Sequence, residues 1–143
     1  MKIFKKKCES KWHNKPCVYD GIKFASHKER DRYIFLKEKE RDGEISNLQC
    51  QVRIELVPAV KKTVEEQLKT KVRIKEVTVQ KAIYYVADFT YERNGETIYE
   101  DAKGSHQLTK VYSLKKKMML ALKGLEVREI YSPTEWIQSK PKR

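Results

Sequence analysis

The stretch IYYVADFTYERNGETIYEDAKG, residues 83–104, decides the frame of the fold. Apolar and polar residues alternate on both sides of Asn94-Gly95, a dipeptide that tolerates the two positive-φ positions of a type I′ turn, which predicts a two-residue β-hairpin over 82–103. Such a turn pairs Arg93 with Glu96 and, counting back along both strands, Asp88 with Asp101. Directly opposed residues hold their Cβ atoms about 5 Å apart, and Lys103, two positions past Asp101, points to the same side. Two carboxylates at that spacing repel each other, and a divalent cation between them removes the repulsion. The face also carries Tyr84, Val86 and Tyr99, so it is not plainly solvated. The competing reading is a polar outer face on which Lys103 bridges the two aspartates. A three-residue loop would shift the register and set Glu100, not Asp101, opposite Asp88.

Working outward, the chain reads as helix, three strands, helix, strand, an α/β order. Upstream, GIKFASHKERDRYIFLKEKERDGEIS predicts a helix over 26–41: Ser26 is an N-cap, Glu29 three residues later completes a capping box, and Gly43 stops it. LQCQVRIELVPAV is strand-like, with Val52, Ile54 and Leu56 on one face until Pro58. In the charged insertion, residues 61–80, Val72 and Ile74 alternate in one parity and Val77 and Val79 in the other, which suggests a bulge in an extended arm. Downstream, TKVYSLKKKMMLALKGLE places Val111, Leu114, Met118, Ala121 and Leu122 at helical spacing, predicting these as the core face and leaving Lys110, Lys115, Lys116, Lys117 and Lys123 elsewhere, with Gly124 as the stop. LEVREIY is a last short strand, and the crossover to it is expected to be parallel.

At 143 residues one domain is expected, at 21–131, between a basic arm (1–20) and a basic tail (132–143). The net charge is +12, from 32 basic and 20 acidic residues, and a surplus of that size points to a polyanionic partner, nucleic acid foremost. No apolar run of about 18 residues is present for a membrane span, and the basic start lacks the apolar stretch of a signal peptide. The cytoplasm is the expected compartment. Cys8, Cys17 and Cys50 form no CxxC pair and are expected as free thiols.

Asp88 and the Asp101-Ala102-Lys103 tripeptide, with a helix before and a basic helix after, resemble the PD-(D/E)XK nuclease superfamily. More closely, YDGIKFASHKERDRYIFLKEKERDGEISNLQCQ together with YVADFTY, YEDAKG and VYSLKKKMML is similar to a family of small phage and prophage proteins placed in that superfamily and related to Holliday junction resolvases and transposon end-cleaving nucleases. The resemblance spans 19–131 apart from the insertion. It implies a restriction-endonuclease-like core: helix, three-strand antiparallel meander, helix, parallel strand. The chain departs from the superfamily pattern in having Ala87 before the first aspartate and Asp101 where many members have glutamate. The implied activity is a Mg²⁺- or Mn²⁺-dependent endonuclease on branched DNA, a Holliday junction resolvase, acting in the host cytoplasm if phage-encoded. Asp88 and Asp101 would be metal ligands, Lys103 the group that positions water and steadies the transition state, and Glu29 a third carboxylate ligand. Glu29 has a second reading, as a capping-box residue only. Lys110, Lys115, Lys116 and Lys117 would hold backbone phosphates, and two symmetric cuts imply a homodimer. The alternatives are a non-catalytic nucleic-acid-binding protein on a nuclease fold, and a nicking, end-processing or restriction-type nuclease.

Overall fold

The computed structural model describes residues 15–103 and 109–135. A short hairpin, β1 (Cys17–Tyr19) and β2 (Ile22–Phe24), precedes α1 (His27–Arg41). Then come β3 (Ser46–Val57), β4 (Val60–Gln67), β5 (Val72–Gln80), β6 (Ile83–Arg93), β7 (Glu96–Ala102), α2 (Lys110–Lys123) and β8 (Val127–Ile130). The main sheet runs β3-β6-β7-β8, antiparallel except for the parallel β7–β8 pair that the α2 crossover allows. β4 and β5 pair only with each other.

Asn94 and Gly95 take φ of 52° and 78°, and the ladder runs from Arg93↔Glu96 to Phe89↔Glu100, which is the register expected of the type I′ turn. The Ser26 capping box also forms: the Glu29 N–H donates to Ser26 Oγ at 3.3 Å, and Ala25 N–H donates back to Glu29 Oε2 at 3.1 Å. Both α1 and the hairpin therefore start where local chemistry dictates.

Two apolar clusters flank the sheet. Tyr33 and Leu36 of α1 pack with Phe24, Phe89, Tyr91 and Ile98, while Met119 of α2 packs with Leu56, Tyr85, Ala87 and Val127. Burying each such side chain stabilises by about 1.5–3 kcal/mol. Neighbours Ile98 and Tyr99 belong to different clusters, so α1 and α2 cover opposite faces of β7. On β3 and β6, however, residues of one parity serve both: Cys50 and Phe89 join the first cluster, Ile54 and Tyr85 the second. The β3–β6 pair must roll over between them. Gln51 lies at the roll with φ of 54°, a backbone conformation uncommon for a side-chain-bearing residue, and Asp88 lies at the same level of β6.

Four expectations change. Residues 17–20 of the basic arm belong to the β1–β2 hairpin, whose turn uses Asp20 and Gly21 at φ of 52° and 73°; residues 1–14, like 136–143 of the tail, lie outside the described residues. The arm at 61–80 is a regular ribbon with its register shift at Val60/Lys61, not between Ile74 and Val77. Both of its faces are open, so neither parity had to be apolar. The expected core face of α2 holds only at Met118, which packs against the second cluster: Val111, Leu114 and Leu122 are 62%, 59% and 55% exposed, Ala121 is exposed too, and the other inward positions are Tyr112, Lys116 and Met119. The reason is electrostatic as well as steric, since Glu129 on β8 draws Lys116 inward to 2.8 Å. Finally, Val86 stands 52% exposed beyond the roll rather than helping to cover Asp88. Cys17 and Cys50 are free thiols.

Candidate active site

The β6–β7 ladder stops one step short of the two aspartates, and their side chains take over its hydrogen bonds. Asp88 N–H donates to Asp101 Oδ1 at 3.2 Å, and Ala102 N–H donates to Asp88 Oδ2 at 2.9 Å. A backbone pair that would have closed the sheet is thus replaced by carboxylates that hold the strands apart at this level. Asp101 is almost fully buried, and Tyr85 O–H donates to its Oδ2. Lys103 Nζ lies 3.6 Å from the same oxygen and 3.7 Å from the centroid of the Tyr112 ring, where the π face favours a cation. The other Asp88 oxygen, Oδ1, accepts no hydrogen bond among the described residues.

Burial pushes the Asp88 carboxyl up to about 7, helped by the adjacent charges of Asp101 and then Glu29; the Ala102 N–H and Lys103 oppose this and lose. Glu29 is raised too, first by burial, while its Ala25 and Ser26 hydrogen bonds and Lys103 pull it down. Glu29, Asp88, Asp101 and Lys103 therefore share one electrostatic neighbourhood, although they come from α1, β6, β7 and the residue after it. Burial together with Asp101 also raises the Tyr85 and Tyr112 hydroxyls, which stay protonated donors.

Glu29 takes up the expected capping position. Its two oxygens face the Ala25 N–H and the Ser26 hydroxyl, so the capping box holds the side chain at the rim of the aspartate pair. Glu100 is not a site residue. It is fully buried and takes two hydrogen bonds from Arg32, at 2.9 and 2.7 Å, and another from Tyr91 O–H. Of the α2 lysines, Lys116 is tied to Glu129, Lys115 is half-buried, and Lys110 and Lys117 are exposed. Lys115 sits in a shallow groove with Val86, Val111, Leu114 and Met118.

Among the described residues no three His, Cys, Asp or Glu side chains gather closely enough to hold a metal ion by themselves. The pair alone has the chemistry for one: hard oxygens, mutual repulsion, and a free Asp88 oxygen. Mg²⁺ commonly binds through one or two carboxylates and keeps several waters for the remaining positions. Sequence reasoning missed Tyr85, Tyr112 and Arg32. Only Arg32 left a trace, lying three residues after Glu29 on the inward stripe of α1.

The model of a family described as "Protein of unknown function (DUF1064)" matches residues 9–139. The chain belongs to the DUF1064 family. The match runs through both helices, the sheet and the aspartate pair, so the family is defined over the whole described fold. No curated protein and no solved structure matches the chain. None of the described helices is long and apolar enough to cross a membrane.

Proposed function

We propose that this DUF1064 chain is a Mg²⁺- or Mn²⁺-dependent endodeoxyribonuclease that hydrolyses phosphodiesters in branched DNA, with Holliday junctions as the leading substrate, on a restriction-endonuclease-like core. The observation that carries the proposal is the break in the β6–β7 ladder, where a buried aspartate, Asp101, and a half-buried one, Asp88, replace backbone pairing beside a lysine. A structural sheet has no use for that substitution, because it gives up backbone pairing and gathers like charge. Asp88 and Asp101 would hold the metal, with Glu29 acting through a bound water because its own oxygens serve the cap. The metal would supply charge neutralisation at a phosphate oxygen and a more acidic water.

The chain's own residues do the rest. Tyr85 and the Asp88 N–H fix Asp101 in one orientation, and the Ala102 N–H fixes Asp88, so the pair is preorganised before substrate arrives. Lys103, steered by Tyr112 and Asp101, is placed to orient the attacking water and to balance charge on the reacting phosphate. Lys110 and Lys117 are available for backbone phosphates, contacts that position DNA without reading its sequence. Paired cuts would need a homodimer, and the exposed Val111, Leu114 and Leu122 of α2 offer an apolar face for one. A host cytoplasm suits such an enzyme.

The test is cleavage of end-labelled four-way junction, flap, single strand and linear duplex by the full chain, with Mg²⁺, Mn²⁺ or EDTA. Metal-dependent cutting, greatest on the junction and lost in Asp101→Asn, is the expected result. Tight binding without cutting in any metal would favour a binding protein on a nuclease fold instead.

A further inference from the structure

The β4–β5 ribbon has no function in the site just described, and its construction is unusual. Its strands hydrogen-bond only to each other, and neither contains a buried residue. The ribbon prolongs the β3–β6 pair beyond Val57 and Ile83, and a two-stranded ribbon with both faces bare is marginal in water, which leaves its faces open to a partner. Its charges are not mixed at random. Cross-strand partners share a face, and the pairs Lys61↔Thr78, Thr63↔Glu76 and Glu65↔Ile74 place two glutamates on one face, where Lys61 is already bound to Glu76 at 3.2 Å. The pairs Lys62↔Val77, Val64↔Lys75 and Glu66↔Arg73 place three cations and one glutamate on the other.

On that second face Val64 and Val77 are the only half-buried positions of the ribbon, diagonal to each other, each directly opposite a lysine whose aliphatic stem can cover it. Lys62, Arg73 and Lys75 have no ion-pair partner among the described residues. The tip, between Gln67 and Val72, adds Lys69 and Lys71. Shape agrees with charge: strands about 4.8 Å apart suit a major groove about 12 Å wide, and eight residues reach about 26 Å. The root at Ile83 lies five residues from Asp88 along β6, about 17 Å at strand rise.

We infer that the β4–β5 ribbon is a second nucleic-acid contact, which lays its Lys62–Arg73–Lys75 face in a groove of duplex DNA away from the aspartate pair. This rests on the proposed function for the choice of DNA, but not on catalysis. The face is basic and backbone-directed, so it grips duplex arms irrespective of sequence.

The experiment measures duplex binding by fluorescence anisotropy in EDTA, where no cutting occurs, across a salt series. Lys62→Gln, Arg73→Gln and Lys75→Gln combined keep much of the side-chain length and remove the charges. About tenfold weaker binding is expected, with the log–log salt slope flattened by about 0.9 for each phosphate no longer neutralised. Glu66→Gln, which removes the one acid of that face, should tighten binding. Unchanged affinity and slope in the triple variant, with Glu66→Gln also silent, would overturn the inference. So would unchanged binding accompanied by a changed sedimentation coefficient, which would make the ribbon an arm between protein copies. Absence of cutting on all substrates, with the ribbon dependence intact, would sink the nuclease reading and leave this one standing.

Discussion

Asp88→Asn separates the energetic cost of the aspartate pair from its use. Asparagine keeps an oxygen for the Ala102 N–H, now at 2.9 Å, and nearly the same shape, but removes the charge that burial, Asp101 and Glu29 all oppose. Unfolded, the Asp88 carboxyl ionises near its ordinary 3.8; folded, it keeps its proton to about 7. Between those pH values the native state binds more protons than the unfolded chain, so the stability of the metal-free protein falls as pH rises through the window. Three units at 1.36 kcal/mol each set an upper limit of about 4 kcal/mol. Asp88 is only half-buried, so solvent screening brings the working figure down to about 2 kcal/mol. The variant escapes this loss. It should melt with the wild type at about pH 3, below both values, and about 4–8 °C above it at pH 8, in EDTA, by scanning calorimetry. Mg²⁺ should raise the wild-type melting temperature at pH 8 and leave the variant unmoved, since a ligand stabilises only the state that binds it. A variant that melts at or below the wild type at pH 8 would refute the reasoning, as would a gap of the same size at both pH values.

Glu29→Gln retains the cap acceptor and should change stability by less than about 0.5 kcal/mol while lowering turnover at least tenfold; wild-type turnover would reduce Glu29 to a capping residue. Lys103→Met keeps the stem over Tyr112 and should leave junction affinity within about twofold but lower kcat by about a hundredfold, and normal kcat would remove Lys103 from the chemistry. Arg32→Met strands the buried Glu100 charge and should cost about 3–5 kcal/mol in urea unfolding. A loss under about 1 kcal/mol would mean that Glu100 is neutralised some other way.

What was legible in the sequence was whatever local geometry determines. Asn94-Gly95 admits one tight register, so the juxtaposition of Asp88 and Asp101 followed from counting residues, and Ser26 with Glu29 fixed the start of α1. α2 was harder because Val111, Leu114, Met118, Met119, Leu120 and Leu122 surround the helix, giving more than one candidate apolar stripe. The choice among them is made by tertiary packing, with Met119 filling the second cluster and Lys116 pairing with Glu129 on a later strand. Nothing in Gln51 announces a left-handed residue in mid-strand, and so the roll that brings one parity of β6 against two helices was invisible. The same holds for Tyr85, whose hydroxyl reaches Asp101 only because of that roll.

The buried Arg32 has a temporal consequence. Its guanidinium bonds Glu100, 68 residues downstream, and the carbonyls of Pro133 and Glu135, 101 and 103 residues downstream. A chain leaving the ribosome completes α1 early, but the groups that satisfy its central arginine are among the last described residues to be made. Until they emerge, α1 carries a cation with nowhere dry to go, and docking it on the sheet is unfavourable. α1 is therefore held back from its final seat until residues 133–135 have been made, which makes assembly of this face an all-or-none event.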